Sequence, residues 1–226
     1  MDMVDLRRLY PLLAGAGIAI AATVTAVDLA GPHPDLVDLT ISDYAAMDRG
    51  GTAGLAMVVL GMAALALVAG MRAAGAPSRG APERLVALWG LVLTVSPLTL
   101  LLGVAAHRWV LLAAFAGLPV AAALLVVRFA ADDRWRIVAR AVEWLALAGG
   151  FGLLAITYAA LPGDGVLIGL AEWSLLGVEV ALLGVLAVRV AQLTWTRAAD
   201  TADGTAEMMT TRSVIPAIPV LSSRRS

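Results

Sequence analysis

Between Leu85 and Val127 the only ionisable side chains are His107 and Arg108. A water-soluble core does not need uninterrupted apolar runs of about 20 residues, but a bilayer span does. A single helix over this stretch of about 43 residues would exceed roughly 60 Å, twice the hydrocarbon core, so the run reads as two spans turning at His107–Arg108. Applied along the chain, the same argument predicts six spans: Leu9–Val27, Gly51–Met71, Leu85–Ala105, Trp109–Val127, Ile137–Ala160 and Val166–Val190. Pro97 kinks the third span or marks its outer end. Pro119 is tolerated in the fourth, where neighbouring helices satisfy the freed carbonyl. The expected fold is all-α, a polytopic six-transmembrane-helix bundle.

Composition agrees. The chain is 61% hydrophobic and 15% charged, with a mean hydropathy of +0.89, outside the range of soluble globular domains. All 16 basic residues are arginine, which together with abundant Ala, Gly and Val suggests a high-GC bacterial genome and hence the inner membrane. Cysteine is absent, which excludes disulfides, thiolate metal sites and cysteine nucleophiles. A net charge of −1 gives no basis for binding nucleic acid.

Arginine placement predicts the orientation, because short cytoplasmic loops carry the excess of basic residues. With the N- and C-termini cytoplasmic, only Arg49 and Arg108 face out. All other arginines, among them Arg7, Arg8, Arg72, Arg128 and Arg189, lie inside. The first apolar run is too long for an ordinary signal peptide and is read as an uncleaved span. The outer loop 30–50 holds His33, Asp35, Asp38, Asp43 and Asp48, and the inner loop 72–84 is a Gly/Pro/Ala-rich connector. Residues 1–195 form the expected membrane domain. Residues 196–226, mixing Thr, Ser, Asp, Pro and Arg without periodicity, are expected to be a disordered cytoplasmic tail.

Several short motifs carry a family resemblance. Thr40-Ile41-Ser42-Asp43-Tyr44-Ala45 precedes the Gly-rich entry Gly50-Gly51 to the second span. His107-Arg108-Trp109 and Leu118-Pro119 mark the fourth, and Gly169-Leu170-Ala171-Glu172, with Glu179 seven residues on, marks the last. In these features residues 9–191 resemble the bacterial six-span family catalogued as domain of unknown function (DUF) 998. The resemblance implies the six-span bundle and no particular activity. The chain departs from the family pattern at Val95-Ser96-Pro97-Leu98, where an acidic turn is usual, and at Trp173, where an arginine commonly follows the glutamate.

The strongest functional lead is the pair Glu172 and Glu179. A seven-residue spacing is two helical turns, so both carboxylates lie on one stripe roughly 10 Å apart. A charged side chain near the bilayer centre costs about 2.5–3.5 kcal/mol on insertion scales and is kept only where something compensates. In a helix entering from outside, Glu172 lies about 9 Å from the outer end and Glu179 about 20 Å in. One reading is a proton- or cation-linked site or a headgroup pocket. The other is interhelical hydrogen bonding that fixes packing, with Gly177, Ala181 and Gly184 as small-residue packing surface on the same helix.

A second candidate is an outer polar cluster of Asp28, Ser42, Asp43 and His107, with Glu172 nearby and His33 as a further imidazole. Imidazole and carboxylates together suit a divalent cation or acid–base work. The plainer alternative is an interfacial histidine, with Ser42 and Asp43 starting a short helix that Ser42 caps. Glu143 pairs within its helix with Arg140. The tryptophans read as interfacial anchors, and Gly54, Gly61, Gly149, Gly150 and Gly152 as close-packing positions. No phosphate loop, H-E-x-x-H or nucleophile elbow occurs.

Three functions fit this inventory. The first is a non-catalytic structural, accessory or lipid-interacting bundle with no cofactor and no resident metal, whose partners are the lipid bilayer and a lipid or small-molecule ligand. The second is a small transporter coupled through Glu172 and Glu179. The third is an outer-leaflet enzyme around His107.

Overall fold

The computed structural model describes residues 3–30, 39–47, 51–99, 102–161 and 165–213, and every regular element among them is helical. Six long helices, α1 (Met3–Leu29), α3 (Thr52–Ala74), α4 (Ala81–Thr99), α5 (Val104–Ala130), α6 (Arg136–Ala160) and α7 (Ile168–Ser213), are joined by a short α2 (Ile41–Met47) between the first two. Each long helix packs on the next, and α7 returns to α1, closing a ring. Helix α7 also touches α3 and α5, so it is the element around which the others gather. Its Leu175, Leu182, Leu183, Leu186 and Val190 are buried.

Five helices are long and apolar enough to cross a membrane: α1, α3, α5, α6 and α7. Helix α4 is not among them, because Glu83 and Arg84 occupy its first turn and Pro97 its last.

The two ends of the bundle differ in chemistry. At one end, a Cβ on Gly70 would lie 3.4 Å from the Tyr10 Cβ and 3.1 Å from the Val190 Cγ1, so early α1, late α3 and late α7 lie at one level. The α3–α4 and α5–α6 connections share this end and are held by arginines. Arg134 donates to the Gly75 carbonyl at 3.1 Å, Arg128 to the Arg79 carbonyl, and Arg189 to the Arg134 carbonyl. Arg72 pairs with Glu83 at 2.6 Å. Guanidinium donors here satisfy carbonyls that the helix ends and turns leave open.

Helix α3 stops at this end through Gly75, which takes φ 70, ψ 39. Gly75 N–H donates to Arg72 at 3.1 Å and Ala76 N–H to Met71 at 2.9 Å, a Schellman ending that needs the left-handed conformation glycine adopts without strain. Across the α5–α6 turn, Trp135 stacks on Phe129 with ring centroids 4.8 Å apart.

The long apolar run breaks earlier than expected. Helix α4 ends at Thr99, and α5 begins at Val104 after Gly103 at φ 106. His107 and Arg108 therefore lie in the first turns of α5, not in the connection. Pro97 stands in the last turn of α4, and Gly103, at a positive φ that suits glycine, directly precedes α5.

Expectations about tryptophan and glycine positions are revised. Trp89 and Trp135 are buried, not interfacial, whereas Trp109, Trp144 and Trp195 are exposed. A Cβ on Gly177 or Gly184 would meet nothing, so this stripe of α7 is not a packing surface among the described residues. Close approach occurs instead at Gly61, where a Cβ would lie 2.5 Å from the Gly90 carbonyl, and at Gly149, 2.8 Å from Pro119. Gly152 meets Leu175 at 3.0 Å, while Gly54 is in ordinary contact and Gly150 faces open space. Helix α7 runs to Ser213. Ala198, Ala199, Ala202, Ala206, Glu207, Met208 and Met209 there are strong helix formers.

Candidate functional site

The end opposite the arginine-bound loops collects the polar residues that sequence singled out, and α2 organises them. Thr40 caps α2: its Oγ1 accepts the Asp43 N–H at 3.1 Å and donates to Asp43 Oδ2 at 2.5 Å. The cap is thus Thr40, not Ser42, which is buried within the first turn. The next open donor, Ile41 N–H, is satisfied from another helix, by Glu172 Oε2 of α7 at 2.8 Å. A carboxylate suits this position, because the N-terminus of a helix leaves N–H groups unpaired and carries the positive end of its dipole.

Asp28, at the end of α1, accepts the Tyr44 hydroxyl of α2. Tyr44 meets Trp173 edge-on at 5.7 Å. Helix α2 is therefore tied to α1 through Asp28 and to α7 through Glu172.

His107 has different partners. Its Nδ1 lies 3.0 Å from the Ser96 carbonyl and 2.8 Å from Thr99 Oγ1, and Thr99 Oγ1 donates to the same carbonyl at 2.6 Å. A carbonyl only accepts, so Nδ1 carries the proton in this contact. The imidazole staples the first turn of α5 to the last turn of α4 across the break. Its Nε2 is buried without a hydrogen-bond partner among the described residues. No hydrogen bond or ion pair joins His107 to an acid, and no group of three or more metal-ligating side chains assembles among the described residues. His33 lies outside the described residues, as do Asp35, Asp38 and Asp48.

Glu179 sits two turns deeper than Glu172, 1% exposed. Its Oε2 accepts the Trp89 indole N–H at 3.2 Å, and its Oε1 is buried without a partner among the described residues. Glu143 behaves as expected, pairing with Arg140 at 3.5 Å, while Arg140 also lies over the Trp144 ring at 5.9 Å.

Two cavities flank the Ile41–Glu172 contact. One, of about 310 Å³, is apolar and walled by α1, α3, α5 and α7, with Leu60, Phe115 and Leu176 on its sides and Asp28 and Tyr44 at its edge. The other, of about 540 Å³, has a mixed lining. Asp43, Arg108 and Glu172 contribute the charge, and Leu112, Ile156 and Ile168 the apolar wall. Ile41 and Tyr44 of α2 line the first, and Asp43 the second, so α2 and its tie to Glu172 form the partition. His107 and Glu179 line neither cavity.

Arg108, present in the His107-Arg108-Trp109 motif, was not among the candidate site residues. It forms no hydrogen bond or ion pair among the described residues, yet it lines the mixed cavity and acts electrostatically on Glu172. The available signal was its isolation in sequence, as one of two arginines expected to face out. Trp89 was missed for the opposite reason: its buried indole needs an acceptor, and only the fold supplies Glu179.

Long apolar helices closed into a ring, with charge confined to the ends and to a few buried contacts, make this a multi-pass α-helical membrane protein. The chain belongs to the family described as protein of unknown function (DUF998), whose model matches residues 13–189. Neither a curated protein nor a solved structure matches it.

Proposed function

We propose that the protein is a six-span inner-membrane bundle of a bacterium, both termini cytoplasmic, that holds an amphiphile without transforming it. The mixed cavity carries this reading. Its charged side (Asp43, Arg108, Glu172) and apolar side (Leu112, Ile156, Ile168) match a molecule with a polar head and a hydrocarbon body. Trp109, exposed and on the same cavity, belongs to the amphipathic side chains that favour the headgroup level of a bilayer. Orientation follows from the arginine-rich end, which also holds the start of α1 and the late turns of the α7 span. With α4 as the sixth span, that end faces the cytoplasm.

The carrier reading needs a carboxylate with access to water along the stripe. Glu179 is closed against Trp89 and lines neither cavity, which counts against it. The enzyme reading needs His107 beside an acid, and its ring is engaged by Ser96 and Thr99 instead.

Native mass spectrometry of the protein purified in mild detergent tests the proposal. The wild type should carry a bound lipid, and Ala160→Trp, which fills the cavity from its exposed wall, should lose it. A wild type free of lipid, or A160W retaining the same amount, would reject amphiphile binding. Conversion of the bound lipid into a product would reject the non-catalytic half.

A further inference from the structure

The mixed cavity presents one guanidinium and two carboxylates to whatever occupies it, and the protein leaves much of their bonding capacity unused. Arg108 has five N–H donors in a planar fork and uses none on a partner among the described residues. Glu172 is 2% exposed; one of its oxygens accepts Ile41 N–H, and the other accepts no hydrogen bond among the described residues. Asp43 has one oxygen on Thr40. Glu172, buried, requires compensating charge and hydrogen bonds, while Arg108 and Asp43, half-buried, remain open to an occupant of the cavity.

Arg108, Asp43 and Glu172 line the same cavity, so the three groups face one occupant. A guanidinium pairs with a phosphate through two parallel N–H bonds, and carboxylates take the donors of an ammonium. We infer that this cavity recognises a zwitterionic phospholipid headgroup, its phosphate on Arg108 and its primary ammonium between Glu172 and Asp43. The apolar wall of Leu112, Ile156 and Ile168 takes the start of an acyl chain. A headgroup with phosphate and no cation leaves the two carboxylates unpaired and is disfavoured. This inference rests on the amphiphile reading and adds the identity of the headgroup.

The experiment compares lipids that differ only in the headgroup. The full-length protein is offered phosphatidylethanolamine or phosphatidylglycerol with identical acyl chains in detergent micelles, and retention is read by native mass spectrometry. Phosphatidylethanolamine should be retained about tenfold better, as expected for one added charge-assisted contact. Glu172→Gln keeps an acceptor for Ile41 N–H while removing the charge, and it should erase the preference. Arg108→Gln, at a side chain with no hydrogen-bond or ion-pair partner among the described residues, should weaken phosphatidylethanolamine by about tenfold.

Equal retention of the two lipids by the wild type, or an intact preference in E172Q or unweakened binding in R108Q, would overturn the headgroup assignment and leave amphiphile binding standing. Retention of neither lipid overturns both. Soluble phosphoethanolamine competing as strongly as the intact lipid would assign the cavity to a small zwitterion and overturn the phospholipid assignment.

Discussion

Ile41 donates its backbone N–H to Glu172 at 2.8 Å, in a buried contact between residues 131 positions apart in sequence. This bond anchors α2 to α7 and separates the two cavities. Glu172→Ala leaves a buried amide unpaired, a loss of about 1–3 kcal/mol. It should lower the melting temperature in detergent, followed by tryptophan fluorescence, while Glu172→Gln retains most of the stability. Equal losses in the two variants would show that the acceptor oxygen is not what matters.

The deeper pair, Trp89 and Glu179, is a packing bond in its geometry. Trp89→Phe removes the only hydrogen-bond donor to Glu179 among the described residues and should destabilise by about 1–3 kcal/mol. Combining it with Glu179→Leu should recover part of that loss, since replacing both partners by apolar groups removes the unmet bonding demand. A double-mutant cycle in detergent measures the coupling, and strictly additive losses would sink this account. Flux of any solute abolished by Glu179→Gln at unchanged protein level would instead favour the carrier.

The glycines make a paired prediction about packing. Gly61→Ala sets a methyl 2.5 Å from the Gly90 carbonyl and should destabilise by about 1–3 kcal/mol through overpacking. Gly150→Ala meets nothing and should be neutral or stabilising by up to about 1 kcal/mol, because alanine is the better helix former. Thermal melts of the two variants decide the matter, and a reversed order would contradict the α3–α4 approach.

Absence of cysteine makes the topology directly measurable. Met47 at one end and Ala131 at the other are both exposed. In intact cells a membrane-impermeant maleimide should label Met47→Cys and not Ala131→Cys. The reverse pattern would invert the proposed orientation.

Much of the architecture was legible because a bilayer imposes a length and a polarity on each helix, and both are local properties of sequence. The starts of α6 and α7 fall within a few residues of expectation for that reason. The α4–α5 break was misplaced because charge is a poor guide to backbone geometry. The break falls between Pro97, in the last turn of α4, and Gly103, at positive φ before α5, and His107 and Arg108 lie within α5.

The polar residues divide along the same line. Sequence alone determined that Glu172 and Glu179 needed compensation, since burying a carboxylate in a membrane segment is unfavourable wherever its partners lie. It also determined their common stripe on one helix, through the helical repeat. Tertiary structure decided the partners: a backbone N–H from α2 for Glu172 and an indole from α4 for Glu179. It also decided that His107 turns to the α4 end while its neighbour Arg108 lines the cavity. Successive residues on a helix point about 100° apart, so adjacency in sequence separates these two side chains, and only the packed bundle shows what each one faces.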